Sequence, residues 1–115
     1  MTERHTLARA RLEAERRRTT ERIERLHRQH AGFVDASLNS NSDDEHDPEG
    51  ATIAFERSQV ETLARTMREH LADVEAAFAR LRAGTYGTCE RCGSPIPESR
   101  LEARPAARTC VGCAV

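Results

Sequence analysis

The residues of this chain best suited to chemistry are Cys89-Glu90-Arg91-Cys92 and Cys110-Val111-Gly112-Cys113, two C-x2-C pairs separated by seventeen residues. Two-residue spacing lets both sulfurs of a pair reach one tetrahedral ion, and two matched pairs at this separation fit a closed four-thiolate zinc site. Such a site keeps no open coordination position, so the expected Zn2+ is one structural ion and not a catalyst. A redox dithiol or free thiols are the rival, but a catalytic C-x-x-C does not need a second matched pair. Gly93 and Gly112, with Gly87 in a similar position, permit the tight backbone that brings amide N–H groups toward thiolates. Four thiolates on Zn2+ leave a local charge near minus two, which Arg91, Arg100, Arg104 or Arg108 could offset. The spacer holds one Ile and one Leu, Ile96 and Leu101, too little to fold residues 84–115 by apolar burial. Metal must supply that stability, ~10–16 kcal/mol in comparable peptides.

A second candidate is the acidic run Asp43-Asp44-Glu45-His46-Asp47-Pro48-Glu49. Asp47-Pro48-Glu49 is accounted for locally as a helix start: Asp as N-cap, Pro at the first helical position, Glu near the positive end of the dipole. Asp43, Asp44 and Glu45 are not, and their crowding favours a loop awaiting a cation or a basic partner surface. His46 reads as a loop residue.

The elements that must position these groups are helical. From Leu12 a 3-4 spacing runs through Thr19, Ile23, Leu26, His30 and Phe33, with Arg16 the misfit at an inward position. Glu13/Arg17, Glu21/Arg25 and Glu24/Arg28 are i,i+4 pairs in the favourable order, each worth ~0.2–0.5 kcal/mol, and Gly32 marks an expected bend. In the second segment Ile53, Val60, Met67, Val74 and Leu81 recur every seven residues, flanked by Ala64, Leu71 and Phe78, a coiled-coil seam. Gly84 stands where a helix-ending glycine belongs, so this helix should run from about residue 48–52 to 83. A polar run of turn formers separates the two stripes, which can bury each other by folding back antiparallel. The expected fold is mainly α: a long antiparallel coiled-coil hairpin over residues 1–83 with an acidic tip loop at about 39–51, then a four-cysteine zinc-finger module over 84–115. An intermolecular coiled coil is the rival arrangement.

Composition agrees. The 115 residues include only four aromatics, Phe33, Phe55, Phe78 and Tyr86, and 32% are charged, which suits exposed helices and not a large globular core. All 18 basic residues are arginine, and nine of them fall in residues 1–32 against five acids, whereas residues 43–50 hold five acids and no base. The net charge of -1 therefore hides a polarised chain. No apolar run is long enough to span a membrane, the N-terminus is Arg/Glu-rich unlike a secretory signal, and a cytoplasmic protein is expected. No phosphate loop, nucleophile–base pair or open metal site is present, so an enzyme is not expected. Arg16-Arg17-Arg18 could neutralise phosphates, but interleaved glutamates and the lack of a nearby aromatic argue against direct nucleic-acid binding.

Cys89-Glu90-Arg91-Cys92-Gly93, Ile96-Pro97, Arg100-Leu101-Glu102-Ala103-Arg104-Pro105 and Cys110-Val111-Gly112-Cys113 resemble the zinc-finger signature of the DksA/TraR family, and with the acidic-tipped hairpin the resemblance covers about residues 35–113. It implies a factor that binds RNA polymerase without reading DNA sequence, inserts its hairpin into the secondary channel, and modulates initiation with tip acids placed near the catalytic magnesium. The implied working tip is Asp43, Asp44, Asp47, Glu49 and Ala51. The family tip reads Asp-x-x-Asp-x-Ala; here Asp44 and Asp47 fit both acids, Glu49 takes the alanine's place, and Ala51 is recovered only with one residue missing. Of the basic residues with which members hold ppGpp, Arg104 alone has a counterpart, Ala114 and Asp73 standing at the others, which argues against a ppGpp response. The other readings are a coiled-coil and zinc-module adaptor between proteins, and a zinc-ribbon nucleic-acid binder.

Overall fold

The computed structural model describes residues 2–39 and 48–114, with the side chains of all but 33–39, 48 and 49. Two long helices, α1 (Glu3–Asn39) and α2 (Pro48–Ala83), precede a short α3 (Glu98–Ala103) and a 3-10 turn (Val111–Cys113). Thr2 caps α1: its Oγ1 accepts the His5 N–H at 3.2 Å, and its carbonyl accepts the Thr6 N–H at 3.1 Å, the first helical bond. Gly32 lies inside α1, which continues through it without a break. One glycine's cost of about 1 kcal/mol is small for a helix held by packing. α1 extends to Asn39, and α2 runs from Pro48 to Ala83, within the expected start at about 48–52 and end at 83.

The end of α2 follows from one residue. Gly84 adopts φ +81°, the Thr85 N–H donates to the Arg80 carbonyl at 2.9 Å and the Gly84 N–H to the Leu81 carbonyl at 3.4 Å. This 6→1 and 5→2 pair is a Schellman motif, which satisfies the last carbonyls and turns the chain out of the helix.

The residues up to Arg18 together with those from His70 onward form one compact unit, and Thr19–Glu69 form the other. In the first, Ala8 and Leu12 of α1 bury themselves against Val74, Ala77, Phe78 and Leu81 of α2, with Tyr86 and Ala106 packed on the cluster. Leu12 and Val74 have no exposed surface; burial of such side chains stabilises by about 1.5–3 kcal/mol each. Ala8 and Ala77 join the expected seam, while Leu71 is only half-buried. Arg16, the misfit, is accommodated by its surroundings. Its guanidinium lies 4.0 Å over the Phe78 ring and forks onto Glu75, Nε to Oε1 at 2.7 Å and Nη2 to Oε2 at 2.9 Å. Next to it, Glu15 accepts from Arg18 and pairs with His70 at 2.8 Å. Partial burial pushes the Glu15 carboxyl up, but Arg18 and His70 outweigh it and hold it below the ordinary 4.5.

In the second unit Leu26 packs on Val60 and Ala64, with Met67 half-buried beside them, and Thr19 and Ile23 are buried as the spacing requires. His30 Nε2 lies 2.8 Å from Glu61 Oε1, and this hydrogen bond holds the Glu61 carboxyl below its usual range. In both units α1 and α2 run antiparallel, as the pairs His27–Arg68 and His30–Glu61, or Leu12 with the Val74 cluster, require. The expected surface pairs Glu13/Arg17, Glu21/Arg25 and Glu24/Arg28 do not form. The i,i+3 and i,i+4 ion pairs among the described residues are Glu15–Arg18 and Arg57–Glu61, in keeping with the small gain such exposed pairs offer against side-chain entropy.

Candidate metal centre

The four cysteines come together from two short turns. In the first, the Cys89 N–H donates to the Ser94 carbonyl at 2.8 Å and the Gly93 N–H to the Cys89 carbonyl at 3.0 Å. An antiparallel bridge, Thr88 to Pro95, and the Ile96 N–H to Gly87 carbonyl bond at 2.7 Å close the hairpin. Gly87 and Gly93 take φ of +85° and +73°, so both serve the turn as expected. Gly112 does not. It sits in the 3-10 turn, where the Cys113 N–H reaches the Cys110 carbonyl at 3.1 Å without a positive φ, a conformation open to any residue.

Between the turns, the Arg100–Pro105 run builds the support. Ile96 and Leu101, 3% and 2% exposed, form a small core with Cys89, onto which Tyr86, Ala107, Cys110 and Cys113 pack. The Tyr86 hydroxyl donates to the Pro105 carbonyl at 2.8 Å, and Arg100 Nε donates to the Thr109 carbonyl at 2.8 Å, directly before Cys110. The Glu90 N–H donates to the Arg108 carbonyl at 3.0 Å, tying the first turn to the approach of the second.

The result is a set of four sulfurs that all lie within 4.8 Å of one another. Cys92 Sγ and Cys110 Sγ are 3.8 Å apart. That is the edge of a tetrahedron with a Zn–S bond of about 2.3 Å, since such an edge is about 1.63 times the bond. The donor set fits zinc and leaves no position for another ligand. Protons tell the same story: amide N–H groups of Cys92 and Cys110 bring the Cys89 thiol down to about 6, whereas Cys110 and the other crowded thiols push Cys113 up to about 12. The first thiolate is prepared by the backbone; the last forms only when a cation takes the proton's place.

Of the arginines expected to offset the thiolate charge, Arg91 reaches the Cys113 carbonyl at 3.2 Å and Arg100 the Thr109 carbonyl. Arg108 turns instead to Asp73 at 3.0 Å and Glu90 at 3.7 Å, and Arg104 is exposed. Sequence reasoning missed three supports. Tyr86 packs on both clusters of its unit. Arg80 has its pKa lowered by burial, lies 3.8 Å from Glu90 and donates to the Ala107 carbonyl at 3.4 Å. Glu98 takes Arg11 at 2.7 Å and Arg4 at 3.6 Å. The signal available for Tyr86 was its place as the lone tyrosine, two residues after the helix-ending Gly84.

Of the other expected site residues, Asp43, Asp44 and Asp47 lie outside the described residues, Glu49 stands in the first turn of α2 with its side chain outside them, and Ala51 is exposed on α2.

A closed four-cysteine module following a pair of long helices defines a zinc-finger protein of the small helical kind. Residues 84–115 match the family model described as the prokaryotic dksA/traR C4-type zinc finger, and the module holds one structural zinc ion. The zinc-finger module is thus similar to that of the DksA/TraR family. The chain is 40% identical over 72 residues to general stress protein 16O of Bacillus subtilis, covering 63% of this chain and 44% of that protein. It is 45% identical over 40 residues to the RNA polymerase-binding transcription factor DksA of Caulobacter vibrioides, covering 35% of this chain and 28% of that one. The transcription factor DksA2 of Pseudomonas aeruginosa shares the fold, with a TM-score of 0.52 at 23% identity over 90% of this chain and 79% of that chain. The chain thus spans less than half the length of the first curated relatives it matches.

Proposed function

We propose that this protein is a non-enzymatic, cytoplasmic regulator that binds RNA polymerase, inserts its helical hairpin into the secondary channel, and modulates initiation without sequence-specific DNA contacts. The observation that carries this reading is the conjunction of the dksA/traR zinc module with a fold shared by a DksA transcription factor. The absence of a helix apolar enough to cross a membrane, among the described residues, is compatible with it. In this reading zinc holds the base together, and the acids Asp43, Asp44, Asp47 and Glu49, with Ala51, act at the polymerase centre. A ppGpp response is not part of the proposal. Asp73 stands where a base would be needed and is ion-paired to Arg108, so that surface offers an anion a carboxylate.

The test measures polymerase affinity and transcription output on the same samples. Replacing Asp47 and Glu49 by Asn and Gln removes two charges while keeping the helix start, because Asn caps about as well as Asp. The double variant should compete for polymerase like the parent and lose most of its effect on initiation at a sensitive promoter. A folded double variant with full activity would remove both residues from the working tip, and a parent protein that does not bind polymerase would leave the adaptor reading in its place.

A further inference from the structure

The seam cluster of Ala8, Leu12, Val74, Ala77, Phe78 and Leu81 and the cysteine cluster of Cys89, Ile96 and Leu101 belong to one compact unit. They are held by different means. The seam is covered by helix packing, whereas the module around the cysteines has too little apolar burial to fold without its metal. Among the described residues, Tyr86 is the side chain that packs against both clusters. It stands two residues after Gly84, where α2 has ended, and three before Cys89. Its hydroxyl donates to the Pro105 carbonyl at 2.8 Å, and burial pushes the phenol above its ordinary 10, so it stays a donor. Ala106, next along from Pro105, also touches the seam but brings a single methyl group.

Other links between the helices and the module are polar. Glu98 takes Arg11 at 2.7 Å and Arg108 takes Asp73 at 3.0 Å, with the Glu98, Arg108 and Asp73 side chains 49%, 42% and 50% exposed. Pairs open to water to this degree contribute little net stability. Arg80 is more enclosed, yet its bond to the Ala107 carbonyl is long at 3.4 Å and its Nη1 is buried without a hydrogen-bond partner. An aromatic ring shared by two apolar clusters acts differently, because the area it covers on one is lost whenever the other comes apart.

We propose that Tyr86 couples zinc occupancy to the stability of the helical base: with the metal bound the ring is held against the seam, and when the metal leaves, the module loosens and the ring goes with it. α1 and α2 persist without metal, but their stretches up to Arg18 and from His70 to Ala83 open more often, because part of the seam's cover is gone. Coupling of this kind is reciprocal, so the packed seam in turn favours the metal-bound module. The Thr19–Glu69 unit has its own cluster of Leu26, Val60 and Ala64 and takes no part. The proposal rests on the zinc assignment, not on the polymerase reading, and adds which residue carries the metal's effect into the hairpin.

The experiment uses the full chain under reducing conditions, zinc-loaded and after chelation, with zinc content measured on every sample and amide hydrogen exchange read peptide by peptide. In the parent, chelation should speed exchange at least fivefold in residues 6–18 and 70–83 and leave residues 50–66 within about twofold. Zinc-loaded Tyr86→Ala should already exchange like the chelated parent in those two stretches and respond little to chelation; Tyr86→Leu, a shorter apolar side chain, carries the same expectation where Tyr86→Ala does not hold zinc. Tyr86→Phe keeps the ring and should keep the zinc dependence, as should Glu98→Gln/Arg108→Gln. A parent whose helical exchange ignores zinc overturns the coupling. A zinc-loaded Tyr86→Ala or Tyr86→Leu with the parent's zinc dependence overturns the role of Tyr86, and loss of that dependence in Glu98→Gln/Arg108→Gln assigns the coupling to the ion pairs instead. A parent that carries no zinc overturns the metal assignment and the coupling together, whereas a parent that fails to bind polymerase touches neither.

Discussion

Val74 tests the packing most directly, because it has no exposed surface and sits among Ala8, Leu12, Ala77, Phe78 and Leu81. In Val74→Asp the lost apolar burial costs about 1.5–2 kcal/mol, and a carboxyl left there without a partner costs about 2–4 more. The expected loss of about 4–6 kcal/mol is a large part of the 5–15 kcal/mol that a domain of this size holds. The assay is urea unfolding followed by helical circular dichroism, with Arg68→Ala as control. Arg68 is exposed, and its contact with His27 is at the surface, so its loss should stay within about 0.5 kcal/mol. The sign with pH follows from burial. The introduced carboxyl has a folded pKa above its unfolded value of about 3.9, so the variant's deficit should shrink as pH falls through the folded pKa. Equal midpoint shifts for the two variants, or a deficit that grows on acidification relative to the parent, would refute the placement of Val74 in a dry seam.

Two further predictions concern the metal and the surface charges. Purified under reducing conditions, the protein should carry about one zinc per chain by elemental analysis, and Cys110→Ser should lose the metal and the fold of residues 84–114 while α1 and α2 stay largely helical by circular dichroism; a zinc-free module that remains folded would contradict this. Glu15 has its folded pKa below 4.5, chiefly because Arg18 and His70 outweigh its partial burial, so its contribution is present above pH 4.5 and disappears as pH falls through the lower folded value. Glu15→Gln should therefore lower the melting temperature near pH 6 by an amount that shrinks as the pH falls through the folded value, and a difference that stays constant on acidification would show that the carboxylate is not what stabilises.

Part of this protein is legible in the sequence because its determinants are local. Ligand spacing alone defines the zinc site, since two C-x2-C pairs leave few other ways to satisfy four thiols. The end of α2 is set by one glycine free to take φ +81°. The apolar repeat through Val60, Val74 and Leu81 brings its own partner face, since a stripe must be covered by another stripe.

What tertiary structure decided lies where side chains from distant positions meet. Arg16 breaks the apolar pattern, and only the position of Phe78 beneath it and Glu75 beside it, 59 residues away, makes it a packing residue. Near neighbours in sequence suggested Glu13/Arg17 and similar pairs, yet the charges preferred cross-helix partners such as His70 for Glu15 and Glu61 for His30, which are fixed by the backbone and lose less freedom on pairing. Phe55 reads as one more apolar residue of a helical repeat. That it stands 64% exposed depends on which side of α2 the α1 helix covers, and the choice belongs to packing, not to any local run of residues.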